Sequence, residues 1–116
     1  MTPTLELVLD CADPDRAAAF WAAALGYVIH GKAKNYRSIV DPDGVGPKLI
    51  LQGVDEPKTV KNRMHLDIHS PDIETEAARL VELGGVRLRE EPFVEHGTAW
   101  ILLADPDGNE FCVCQA

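Results

Sequence analysis

The feature that most constrains this chain is that it contains itself twice. Residues 5–15, LELVLDCADPD, align with residues 64–74, MHLDIHSPDIE, at an offset of 59, which places Glu6 over His65 and Asp13 over Asp72. The offset holds as far as Gly26 and Gly85, and the tetrapeptide DPDG occurs at 41–44 and again at 105–108, now offset by 64. A repeat on this scale is one supersecondary unit used twice, so the architecture can be read from either half.

Within the first half, Leu5, Leu7 and Leu9 alternate with Glu6, Val8 and Asp10, a period of two that predicts a strand over 5–11. Asp13 then offers an N-cap and Pro14 a first-turn proline, and Ala17, Phe20, Trp21 and Ala24 recur at helical spacing until Gly26 ends the pattern. A helix is predicted over about 14–25. Three short strands follow, at 27–30, 36–41 and 48–53, with DPDG as the turn before the last. The second half repeats the order: a strand over 64–69, a helix over about 72–83 with Ile73, Ala77, Leu80 and Val81 on one face, and strands near 86–89, 98–104 and 110–115.

Each half is a βαβββ unit of the α+β class. Four strands and one short helix leave a sheet face uncovered, so two tandem units are expected to share one domain of 116 residues. Module 1 spans about 4–54, the polar stretch DEPKTVKN at about 55–62 is the linker, and module 2 spans about 63–116.

Composition narrows the function classes. Hydrophobic residues make up 46% and charged residues 26%, the balance of an ordinary globular protein. The net charge of −8 repels phosphate backbones and anionic lipids, so neither nucleic acid nor a membrane surface is an expected partner. MTPTLELVLD lacks the basic and then apolar pattern of a secretory signal, and no apolar run approaches the ~20 residues of a membrane helix. Cys11, Cys112 and Cys114 are odd in number, and a bond between two cysteines two residues apart in a strand would be badly strained. Reduced thiols and a cytoplasmic location are expected. The chain has no G-x-G-x-x-G, P-loop, G-x-S-x-G or CxxC motif, and GVGP at 44–47 lacks the following helix that a phosphate site needs.

The polar alternation within the equivalent strands carries what chemistry the residues suggest. His65, Asp67 and His69 project from one face of the fifth strand, as Glu6 and Asp10 do from the first. Such a face is either a wet cleft or an ordinary solvated sheet surface. Trp100 reads as core or as a cleft wall, and Cys112 and Cys114 read as small core residues.

Two βαβββ units, an FW pair in the first helix, KNRMHLDI with a His opening the fifth strand, and LLADPDGNEFCV closing the chain together resemble the glyoxalase/bleomycin-resistance/dioxygenase (vicinal oxygen chelate) superfamily over essentially the whole length. The resemblance implies curved mixed sheets around a cleft, a small-molecule substrate or ligand, and a homodimer. It also implies one divalent ion held by the first and fourth strands of each unit, which by position means Glu6, Gln52, His65 and Cys112. A thiolate at Cys112 favours zinc or another transition metal over magnesium. Glu6 can serve as the catalytic base, while Asp67, Trp100, Tyr36 and Phe93 are the implied substrate contacts. Two functions follow as expectations: a glyoxalase-like, metal-dependent lyase or isomerase acting on a small oxygen-rich molecule, or a metal-free protein that binds and sequesters an antibiotic-like compound.

Overall fold

The computed structural model describes residues 2–116, which form two compact units, one ending at Pro57 and the other spanning Lys58–Ala116. In unit 1, β1 (Leu7–Cys11) leads to α1 (Pro14–Leu25), then β2 (Val28–Ala33), β3 (Tyr36–Val40) and β4 (Leu49–Gly53). The sheet order is β1-β4-β3-β2, with β1 parallel to β4 and the other pairs antiparallel. Asp13 caps α1 by accepting from the backbone N–H of Asp15 and Arg16, and Gly26 ends it in the left-handed conformation, the one that glycine tolerates best. The helix buries Ala17, Phe20, Trp21 and Ala24, with the Phe20 and Trp21 rings edge to face at 5.2 Å. They share the core class with Ile39, Leu49 and Leu51 of the sheet.

Unit 2 repeats the plan with β5 (Asp67–Ser70), α2 (Ile73–Glu82), β6 (Val86–Arg87), β7 (Phe93–Glu95), β8 (Thr98–Ala104) and β9 (Glu110–Gln115). The order is β5-β9-β8-β6, with β5 parallel to β9. Both β6 and β7 pair with β8, so they are two pieces of one strand position that the sequence reading takes as a single strand near 86–89. The ladder runs on to Leu88, whose N–H donates to the Leu102 carbonyl, and breaks before Pro92, a residue with no N–H to give. Arg87 spans the break: its guanidinium donates to the carbonyls of Arg89 and Glu90 and to the Glu74 carboxylate on α2.

Other departures from expectation are local. The fifth strand begins at Asp67 rather than at Met64, although the Cys112 N–H to Leu66 carbonyl bond extends its pairing by one residue. On α2, Ile73, Ala77 and Leu80 are buried, but Val81 is 43% exposed, because it lies at the margin of the arc the other three define. The DPDG repeat forms the same turn twice. Asp41 and Asp105 each accept through a side-chain oxygen from the N–H two residues on, and Gly44 and Gly108 close the turns at positive φ. The segment read as a linker is tied down at its end, since Asn62 and Glu110 exchange bonds: the Asn62 N–H donates to the Glu110 carboxylate at 2.9 Å and the Glu110 N–H to the Asn62 side chain at 2.8 Å.

Candidate functional site

The sheet of unit 2 has one greasy and one chemically mixed face. Ile101, Leu103, Phe111 and Val113 are fully buried on the side that α2 packs against. Their neighbours in sequence point the other way by strand alternation and line a concavity of about 690 Å³ within this unit. The register sets out its rungs. Asp67 pairs with Cys112 and Cys112 with Leu102; one rung along, His69 pairs with Cys114, Cys114 with Trp100, and Trp100 with Phe93.

At the first rung three groups converge. A ligand atom from each of His65, Asp67 and Cys112 lies within 4.8 Å of the other two. His65 Nδ1 is 3.0 Å from Asp67 Oδ1. Because an ionised carboxylate only accepts, Nδ1 is the donor in this contact. Cys112 is buried, and desolvation, then the Asp67 charge, pushes its thiol above the usual range. Burial pushes Cys114 higher, to about 11, with Asp67 adding to the effect. Glu110 is held below the ordinary carboxylate range, first by the Asn62 N–H, then by the Lys61 and Lys58 ammonium groups.

The donor chemistry fits a borderline-soft cation. One imidazole nitrogen, one carboxylate and one thiol are ligands that zinc accepts. Magnesium, which prefers oxygen and water, fits poorly.

At the second rung the aromatic rings stand together. Phe93 and Trp100 stack with centroids 5.6 Å apart at 16°, and the Arg89 guanidinium lies 4.1 Å from the centre of the Phe93 ring. Trp100 and Phe93 are therefore walls of the concavity, while the core aromatics are Phe20, Trp21 and Phe111. Thr98, Leu102 and Cys114 also line it, which the sequence reading did not assign; the period-two continuation from Trp100 along β8 is the signal that would have found the first two.

The candidate residues of unit 1 are arranged differently. Glu6 is paired with Lys48 at 3.3 Å, while Gln52 stands opposite both Asp10 and Tyr36. Continuing the parallel register from Leu7 and Leu49 puts Glu6 about four residues, or roughly 13 Å, from Gln52 along the strands. The position that pairs in unit 1 as Cys112 does in unit 2 is Ile50, beside Val8. Unit 1 thus holds Glu6 and Gln52 apart.

A family model described as a glyoxalase-like domain matches residues 6–114. The chain belongs to the glyoxalase-like domain family. Solved structures of the glyoxalase/bleomycin-resistance/dioxygenase superfamily share this fold. One is a fosfomycin resistance protein from Listeria monocytogenes, 14% identical, with a TM-score of 0.77 over 100% of this chain and 94% of that one. Another is a glyoxalase-related enzyme from Fulvimarina pelagi, 20% identical, TM-score 0.75, covering 100% of this chain and 89% of that one. A glyoxalase I variant from Zea mays is 24% identical with a TM-score of 0.74, and the glyoxalase-like chain covers only 44% of it. Identities this low establish the fold alone. No curated protein matches the chain. Among the described residues, no helix is long and apolar enough to cross a membrane.

Proposed function

We propose that the mixed face of unit 2 binds a small oxygen-rich molecule against a transition-metal ion, zinc first among them, in a lyase or isomerase of the glyoxalase-like kind. The observation that carries this reading is the convergence of His65, Asp67 and Cys112 to within 4.8 Å. His65 would bind through a ring nitrogen, Cys112 through its thiolate and Asp67 through a carboxylate oxygen, the His65–Asp67 hydrogen bond giving way to the ion. With three protein ligands, a zinc ion held here would have room to take a substrate oxygen as well. Bound there, the ion would act as a Lewis acid toward developing negative charge on that oxygen. Leu102 and Trp100 supply apolar wall beside it.

Metal analysis of protein stripped with chelator and then offered zinc, nickel or manganese tests the reading, with melting temperature as the readout. Zinc is expected to raise the melting temperature of the parent chain and to leave His65→Ala and Cys112→Ser unmoved, because a ligand that binds only the folded state stabilises it by mass action. Parent protein that stays metal-free and shows no shift with any of the three ions overturns it.

A metal-free binding protein is the second reading, favoured by the Phe93 and Trp100 stack. Ligand binding that survives both His65→Ala and chelation would select it.

A further inference from the structure

The second rung of the same face has a shape of its own. Across the sheet the side chains run Phe93, Trp100, Cys114, His69, each directly paired with the next. Phe93 covers one face of the Trp100 ring and is itself backed by Arg89. The other neighbour of Trp100 is Cys114, whose side chain ends at its sulfur. Beyond it stands His69, two strand spacings or roughly 10 Å from Trp100. A flat ring in contact on both faces needs about 7 Å between its walls, two van der Waals separations of about 3.5 Å. That spacing leaves room for such a ring above Cys114, in a slot that Trp100 and His69 flank, and all three line the same concavity.

We propose that this slot takes a six-membered aromatic ring carrying an oxygen substituent, and that Cys114 is the residue that keeps the slot open. The substituent would point to the neighbouring rung, where Asp67, Cys112 and His65 supply polar partners. The stacked pair gives the selectivity, since a π-face rewards a flat ring over a puckered one of equal size. This assignment rests on the reading of the face as the ligand site and names the class of molecule it accepts.

Benzyl alcohol and cyclohexylmethanol, which share size and hydroxyl but differ in the ring, are the probes. Proton NMR of the Trp100 indole N–H, assigned by its loss in Trp100→Leu, follows their binding. Benzyl alcohol is expected to bind about fivefold or more tighter. Cys114→Leu, which fills the floor, is expected to weaken benzyl alcohol about tenfold, while Cys114→Ala stays within about twofold of the parent. Should Cys114→Leu fail to fold, Cys114→Val narrows the slot with less bulk and takes its place. Equal affinities for the two alcohols, or unchanged binding in a folded floor-filling variant, overturns the slot. Zinc stabilisation is read in the same samples. Zinc binding without ring selectivity removes the slot and leaves the metal reading standing, whereas ring selectivity without zinc binding removes the metal reading and leaves the slot.

Discussion

His65 and Asp67, two residues apart and on one side of the chain, are joined by a 3.0 Å contact between Nδ1 and Oδ1. An ion held by both groups would replace that bond with two of its own. Through the neighbouring Cys112 thiol, zinc binding is also tied to protons.

Zinc affinity is expected to rise about tenfold per pH unit between pH 6 and 8. Burial raises the Cys112 thiol above its ordinary value of 9.0, so the group is protonated across this range and each ion bound must displace a proton. Calorimetric titration in two buffers of different ionisation enthalpy should count that proton. Affinity independent of pH would mean the thiol is not a ligand.

Glu110 anchors the Asn62 segment to β9, and its carboxyl is held below the ordinary glutamate value. A depressed carboxylate contributes stability that is present above the unfolded-state value and lost as pH falls through the folded one. Glu110→Gln is therefore expected to be less stable than the parent at pH 7, by about 1–2 kcal/mol for a hydrogen bond to a charged group. The two melting temperatures should converge below about pH 4. Curves that stay parallel over the whole range would show that the anchor does not depend on charge.

The stack of Phe93 on Trp100 should be measurable by itself. A double-mutant cycle with Phe93→Leu and Trp100→Leu in urea is expected to give a coupling of about 0.5–1.5 kcal/mol. Zero coupling would mean that the rings meet only as apolar surface.

Gly46 owes its identity to crowding. A Cβ built there falls well inside contact distance of the Tyr27 hydroxyl, which itself donates to the Pro47 carbonyl at 2.9 Å. Gly46→Ala is expected to cost about 1–3 kcal/mol through overpacking. The same change in a Tyr27→Phe background should cost much less, as thermal melts of the four proteins would show.

Much of the fold was legible because each half repeats cues that act locally: an Asp N-cap before each helix, a glycine near the helix end, and an Asp that folds DPDG around its own carboxylate. Boundaries drifted where local signals compete with pairing. Met64 to Leu66 alternate like a strand, yet regular pairing starts at Asp67. The division of one strand into β6 and β7 turns on Pro92 and on the bracing by Arg87, a residue whose partners lie on another element. At the site, alternation put His65 and Asp67 on one side, but their nearness to Cys112 depends on which residue of β9 lies opposite, and register is a property of the pairing. The same holds for Gln52, which resembles a ligand by order in the chain and faces Asp10 in the folded unit.

The interruption before Pro92 has a consequence for how this sheet meets other chains. An uninterrupted outer strand offers a row of unpaired backbone groups on which a second molecule can polymerise. Here the outer strand is cut into pieces of two and three residues, separated by a proline and by the carbonyls that Arg87 occupies. The margin of the sheet is thus a poor template for amyloid-like growth, even with Val94 left 76% exposed on it.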